Sequence, residues 1–161
     1  MKKLLDYGLD ELKTILEDIG EKPFRAQQVM QWLVQGKRFD EMTNLSLPLR
    51  EKMKDSFTEG YADTVKVLTS KDGTKKYLFA FEDGCSVESV FMQKNYGNTI
   101  CVSTQVGCRM GCAFCASGTD GLVRNLSAGE MLSQIIAVNA DQGTGRNITN
   151  IVLMGMGEPF D

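Results

Sequence analysis

In the first sixty residues apolar positions recur at helical intervals. Leu9, Leu12, Leu16 and Ile19 fall three and four residues apart and are closed by Gly20, the pattern of an amphipathic helix. Pro23 opens a second stretch carrying Phe24, Met30, Leu33 and Val34 that stops at Gly36. Ser46 with Pro48 starts a third, on which Leu49, Met53 and Phe57 recur every four residues. Three short helices imply a small helical accessory module over residues 1–60. Its charges are interspersed, Lys52 and Lys54 lying among Glu51 and Asp55, which marks a solvated face more than an RNA contact.

From Tyr61 the period changes. Residues 64–68 and 76–81 read as strands flanking Lys71-Asp72-Gly73-Thr74, a hairpin signal, and Asp83-Gly84 followed by residues 86–92 extends it into a β meander over residues 61–97. Gly97-Asn98 then leads into a strand over residues 99–104 that delivers the chain to three closely spaced cysteines. Beyond them Ser127-Ala128-Gly129-Glu130 reads as a capping box, with Leu126 and Met131 at staple positions. The helix it starts carries Leu132, Ile135, Ile136 and Val138 as a buried stripe and ends before Asp141-Gln142-Gly143. Residues 151–154, Ile-Val-Leu-Met, form a short apolar run suited to a buried parallel strand. Strand, cysteine loop, helix and strand make one βαβ unit over residues 98–161, so the fold class expected is α/β. Gly155-Met156-Gly157-Glu158-Pro159 occupies the loop after its second strand.

Composition narrows the chemistry. Lys and Arg number 18 against 21 Asp and Glu in 161 residues, a formal charge of -3, so no general affinity for polyanions follows and RNA would have to be bound by local geometry. There is no apolar run of about 18 residues and no charged-then-apolar leader, since Met1-Lys2-Lys3-Leu4-Leu5 runs into Asp6. A soluble, cytoplasmic protein with no membrane partner is expected. Histidine is absent, which removes imidazole as base or ligand in this chain and leaves thiolates and carboxylates. Five cysteines, three of them within residues 108–115, fit a metal or cluster site in a reducing compartment better than a disulfide frame.

The strongest chemical signal is Cys108-Arg109-Met110-Gly111-Cys112-Ala113-Phe114-Cys115, a C-x3-C-x2-C directly after a strand. Soft thiolates bind iron well, a cubane is usually filled by four ligands, and three ligands leave one iron open to substrate. Gly107 and Gly111 allow a tight wrap, and Phe114 is expected to shield a cluster from water. The competing reading adds Cys101 to the three thiols as a tetrahedral zinc site, against which stands the lack of two paired C-x2-C knuckles. Gly157-Glu158-Pro159 is expected on the same carboxyl-end face as the cysteine loop. There the Glu158 carboxylate and nearby carbonyls would accept from the ammonium of a bound methionine moiety, and Gly155 and Gly157 would let the backbone come close to it.

Taken together, Cys101-Val102-Ser103-Thr104-Gln105-Val106-Gly107-Cys108, Cys112-Ala113-Phe114-Cys115-Ala116-Ser117, Arg124-Asn125-Leu126 and Met154-Gly155-Met156-Gly157-Glu158-Pro159 resemble the radical S-adenosylmethionine (SAM) 23S rRNA/tRNA adenine C2-methyltransferases. Phe24-Arg25-Ala26 and Gln31-Trp32 extend the resemblance into an N-terminal accessory helical domain. The resemblance implies a partial (β/α) barrel whose first βαβ part is residues 98–161. It implies methylation of C2 of adenosine in 23S rRNA, at the peptidyl-transferase centre, and in tRNA, 3′ of the anticodon. One SAM methylates a protein cysteine and a second is cleaved to a 5′-deoxyadenosyl radical. By the same resemblance Cys108, Cys112 and Cys115 hold a 4Fe–4S cluster, Gly157 and Glu158 bind SAM, Cys101 resolves the methyl-protein adduct through a transient disulfide, and Glu88 is the proton acceptor. A flavodoxin-like electron donor and a monomeric complete enzyme are also implied.

Read without the resemblance, Cys101 is an inert thiol in an apolar strand and Glu88 a solvent-facing residue, since Val87 points the other way. Cys85 matches no motif and packs or sits in a turn. The family's methyl-carrying cysteine lies well beyond the Gly-Glu-Pro motif and has no counterpart here, and only one of about six βα units is present. The chain is therefore expected to be an inactive N-terminal fragment with an exposed strand edge. The rival readings are the related C8-methylating antibiotic-resistance enzyme and a zinc-stabilised RNA-binding module.

Overall fold

The computed structural model describes residues 1–95, 97–143 and 147–161. Tyr96, in the expected meander, lies outside them. The chain begins with β1 (Lys2–Lys3), followed by α1 (Leu9–Asp18), α2 (Arg25–Leu33) and α3 (Leu47–Ser56), and β2 (Phe57–Thr58) returns to pair parallel with β1. This two-strand closure ties the module's ends together and was not signalled by the helical periodicity. Ser46 and Pro48 stand at the start of α3 as expected, and Leu49, Met53 and Phe57 are buried. In α1 and α2 the buried stripe is shifted. Ile15 joins Leu12 and Leu16 while Leu9 is exposed, and α2 buries Ala26, Val29 and Leu33 while Phe24 and Val34 lie exposed just beyond its ends. The helical period holds in α2, with the small Ala26 rather than Phe24 at the buried position. The Arg25 guanidinium covers the Phe24 ring instead, 4.9 Å from its centre.

The second body is one five-stranded sheet in the order β3 (Asp63–Thr69), β4 (Lys75–Ala80), β5 (Ser86–Lys94), β6 (Gly97–Cys101) and β9 (Asn150–Val152). The first four strands run antiparallel as a meander, and β9 joins β6 in parallel after the crossover helix α4 (Ala128–Gln142). Alternation sorts the two faces. Tyr77, Phe79, Val87, Phe91 and Ile100 are buried with Val138 of α4 in one core, each large side chain contributing on the order of 1.5–3 kcal/mol. The opposite face carries Lys66, Leu78 and Glu88 in one cross-strand row, and Leu68, Lys76, Val90, Cys101 and Val152 in the next.

Three features of this body depart from the sequence reading. The apolar run at residues 151–154 is not a buried strand: β9 is the sheet edge and Ile151 is 53% exposed. Between β6 and α4 lies an unexpected antiparallel ribbon, β7 (Gln105–Gly107) with β8 (Leu122–Asn125), and the cysteine loop is the connection at its tip. The capping box is present, with Ser127 Oγ accepting from Glu130 N at 3.2 Å and Glu130 Oε2 accepting from Ser127 N at 3.0 Å. The helix runs on through Gln142, past its expected end, because Asp141 is held by Lys75 and Tyr77 at 2.6 Å each. Ile136 of α4 is buried in the helical module's core, with Leu132 packed against it, which seats the module on the crossover helix. Among the described residues no helix is long and apolar enough to cross a membrane.

Candidate functional site

The segment leaving β6 is where the sequence motifs meet. Val102 N donates to Val152 O at 2.8 Å, Gly155 N to Val102 O at 3.1 Å, and Thr104 N to Met156 O at 2.9 Å, so the Gly155–Glu158 stretch continues the β6–β9 ladder. Ser103 Oγ donates to the Glu88 carbonyl at 2.5 Å and accepts from Met156 N at 2.9 Å. From the other side the fully buried Gln134 of α4 accepts from Ser103 N (3.1 Å) and Ser89 Oγ (2.6 Å) and donates to Ser103 O (3.1 Å). Every polar atom of that carboxamide is satisfied, as a buried amide requires.

Gln105 is buried and performs the same service for the Gly-Glu-Pro loop. Its Oε1 accepts from Glu158 N at 2.9 Å, and its Nε2 donates to Asn125 Oδ1 at 2.9 Å and to Asp161 Oδ2 at 3.4 Å. The glycines of the motif have a local task that the sequence reading did not anticipate. A Cβ on Gly157, whose φ is +101°, would lie 2.6 Å from Gln105 Cβ, and one on Gly155 would lie 2.6 Å from Ser103 Oγ. Close approach of this loop to residues 103–105 demands them before any ligand does.

The cysteine loop spans residues 108–121. Its neck is Cys108 N donating to Gly121 O at 3.0 Å, with Gly107 at φ +74° and its missing Cβ only 2.0 Å from Gly121 O. Cys108 is buried at the base, while Cys112 and Cys115 are exposed, with Cys115 N donating to Cys112 O at 3.0 Å. Hydrogen bonds from Ser117, backbone and side chain, and from the Gly118 backbone hold the Cys115 thiol below its usual range and favour the thiolate. Phe114, expected to shield a cluster, is 93% exposed in the cluster-free loop. Arg109, the second residue of the motif, reaches across to Asp161. Its Nε donates to both carboxylate oxygens at 2.8 Å and its Nη2 adds a third contact.

Cys101 and Glu88 lie on the same face of the sheet, away from the α4 core. Cys101 stands level with Val90, two residues along β5 from Glu88. Burial raises the Cys101 thiol above its usual range, with a hydrogen bond from the Met154 backbone partly opposing it. Glu88 is exposed and pairs with Lys76 Nζ at 2.9 Å. Cys85 packs at the edge of the sheet core, its N–H held by Asp83 at 3.0 Å in the β4–β5 turn. All five cysteines are free thiols.

Among the described residues no three His, Cys, Asp or Glu side chains stand together as a ready set of ligands for one metal ion. A cubane spreads its thiolates over separate irons and needs no such single point, so three thiols on one loop suit it. Next to Glu158 a cleft of about 210 Å³ is lined by Thr104, Gln105, Asn125, Pro159 and Asp161. A larger concavity of about 800 Å³ lies away from the thiols, between the start of the chain and Asp83, Arg124 and Glu130. Lys3, Asp83, Arg124 and Glu130 within it are paired with one another. Gln105, Arg109, Asp161, Ser103 and Gln134 were not singled out from sequence. A polar Ser133-Gln134 pair inside the apolar stripe of α4 was the one available signal.

Residues 2–58 match the family described as the ribosomal RNA large subunit methyltransferase N-terminal domain. The chain is 53% identical over 164 residues to the probable dual-specificity RNA methyltransferase RlmN of Geobacillus kaustophilus, covering 100% of this chain and 45% of that protein. To the protein of the same name from Bacillus velezensis it is 49% identical over 161 residues, covering 98% and 44%. Its structure resembles the crystal structure of a radical SAM methyltransferase from Sphaerobacter thermophilus, with a TM-score of 0.93 at 41% identity over 99% of this chain and 48% of that one. The chain therefore spans about half the length of the curated relatives it matches.

Proposed function

The chain belongs to the family of the RlmN-type RNA methyltransferases, and from that premise we propose that it is part of a radical SAM enzyme that methylates C2 of adenosine in 23S rRNA and in tRNA. The observation that carries this reading is the joining of two loops. The thiol loop at the tip of the β7–β8 ribbon and the Gly157–Glu158 loop are tied by Gln105 and by the Arg109–Asp161 pair. On this reading Cys108, Cys112 and Cys115 hold a 4Fe–4S cluster, and Gly157 with Glu158 receives the methionine end of SAM. When bound, cluster and cofactor supply one-electron cleavage of SAM, with the electron drawn from a flavodoxin-like donor and the methyl group carried on a protein cysteine.

The chain's own residues do the rest. Glu88, exposed on the open face beside Lys76, accepts a proton from the adenine. Cys101, on that same face, is the thiol that resolves the methyl-protein adduct. Residues 1–60 serve as the helical accessory module and residues 61–97 as a β extension. Residues 98–161 open the partial barrel, in a cytoplasmic enzyme that is monomeric when complete.

The test is electron paramagnetic resonance on the anaerobically reconstituted, dithionite-reduced chain, with and without SAM. A reduced-cluster signal that changes with SAM supports the reading. Stoichiometric zinc on a folded chain that builds no cluster overturns it in favour of a zinc module. Product analysis of a complete enzyme carrying this chain then separates C2 from C8 methylation.

A further inference from the structure

The hydrogen bonds of residues 108–121 are almost all internal. Cys108 N to Gly121 O closes the neck, Cys115 N bonds Cys112 O, Thr119 N and Oγ1 bond Ala116 O, and Gly121 N bonds Gly118 O. Among the described residues, the one side chain of this loop that hydrogen-bonds outside it is Arg109, and its partner is Asp161. The pair is asymmetric. The Arg109 side chain is 63% exposed, whereas that of Asp161 is 9% exposed. The covered carboxylate thus has its charge answered by a planar two-pronged donor, and Gln105 Nε2 offers it a second, longer contact at 3.4 Å. The same Gln105 holds Glu158 N. One carboxamide and one ion pair therefore span from the thiol loop to the Gly157–Glu158 loop.

We propose that Arg109 and Asp161 form a latch, with Gln105 as its floor, that positions the thiol loop against the cofactor loop. These are positioning residues, and the inference rests on the reading of the two loops given above. Without the latch the loop keeps its three thiols and its neck, so it still takes up iron, but it pivots about Gly107 and Gly121. The open side of the site then no longer faces Glu158, and SAM binding weakens while cluster content holds. An ion pair this exposed on one side contributes little to global stability, so its loss is read in loop protection and in affinity.

The experiment compares the chain with Arg109→Gln, Asp161→Asn and the swap Arg109→Asp/Asp161→Arg. Hydrogen exchange on the metal-free protein is expected to show residues 108–121 exchanging roughly fivefold faster in both single variants, with the rest of the chain unchanged. After reconstitution, iron and sulfide content should match the parent, while the SAM dissociation constant, read from the reduced-cluster resonance, rises roughly fivefold. The swap should recover part of both losses. Unchanged loop exchange in the single variants overturns the latch whether or not the parent binds a cluster. Loss of iron from the variants also overturns it, since the pair would then be part of the cluster's scaffold. A parent that builds no cluster defeats the cofactor reading instead, and hydrogen exchange still decides the latch.

Discussion

Replacing Glu130 with Gln should destabilise the protein by about 3 kcal/mol at neutral pH. The carboxylate side chain is 4% exposed and its two oxygens receive four donors. Ser127 N and Arg124 Nη1 reach Oε2 at 3.0 and 2.7 Å, and Arg124 Nη2 and Lys3 Nζ reach Oε1, both at 3.1 Å. A carboxamide turns one acceptor into a donor, so at least one of these hydrogen bonds becomes a repulsion. Lys3 then loses its counter-charge, and Arg124 is left with Asp83 alone. Removing one member of a buried pair costs about 3–5 kcal/mol. Arg124 and Lys3 keep side-chain exposures of 29% and 25%, so they rehydrate in part and the lower end applies. For a chain of this size that is a fall in Tm of about 6–12 °C.

The pH dependence supplies a second check on the same substitution. Burial pushes the Glu130 carboxyl up, but Arg124, Ser127 and Lys3 together outweigh it and hold it below its ordinary value of 4.5. A carboxyl depressed in the folded state adds stability that is present above its unfolded value and lost as pH falls through the folded one. The gap between parent and Glu130→Gln should therefore be full at pH 7 and shrink below about pH 4.5. Urea unfolding at both pH values measures it. A variant within about 0.5 kcal/mol of the parent at pH 7 would refute the reasoning.

Three further outcomes follow from the geometry. Gly107→Ala places a methyl 2.0 Å from Gly121 O at φ +74°, so the ribbon neck must open, and the reconstituted variant is expected to hold markedly less iron than the parent. Gln134→Ala strands Ser103 N, Ser103 O and Ser89 Oγ in a dry interface and should lower stability by about 2–4 kcal/mol, measured by urea unfolding. In the metal-free, reduced chain near neutral pH, Cys115 should be alkylated by iodoacetamide well before Cys101. One thiol is exposed and shifted toward thiolate and the other is half-buried and shifted away, and peptide mass mapping reads the order.

Local chemistry made much of this fold legible. The Ser127–Glu130 capping box, the Lys71–Thr74 hairpin and the Leu49-Met53-Phe57 stripe each depend on neighbours within four residues or on a turn, and each stands where the sequence put it. The thiol triad was legible as chemistry, and its carriage on a two-stranded ribbon was not. β8 is four residues with alternating half-burial, too short to show a period, and it exists because Val106 and Gln105 offer it a partner. The parallel pairing of β1 and β2 joins residues 2–3 to 57–58, and no local signal reports a contact at that separation. The apolar run at residues 151–154 suggests burial, but such a run does not state how many neighbours a strand has.

Ser103, Gln105 and Gln134 were the least legible residues, and they explain why the motif residues sit as they do. Apolar packing of β6 against α4 fixes the sheet but is indifferent to small slides along it. A carboxamide bonded to both N–H and C=O of Ser103 is not indifferent, because a slide of one residue would strand its donor and acceptor together. Ser103 and Gln105 then transmit that register outward, the first to Met156 and the second to Glu158, while the strand itself runs on into Cys108. The thiol loop and the Gly157–Glu158 loop are thus both referenced to one short stretch of backbone. Gly155 and Gly157 are small because that reference works only at backbone contact distance. A motif that looks like two separate ligand-binding signals in the sequence is physically one bracket, and damage to its polar pins should disturb both loops at once.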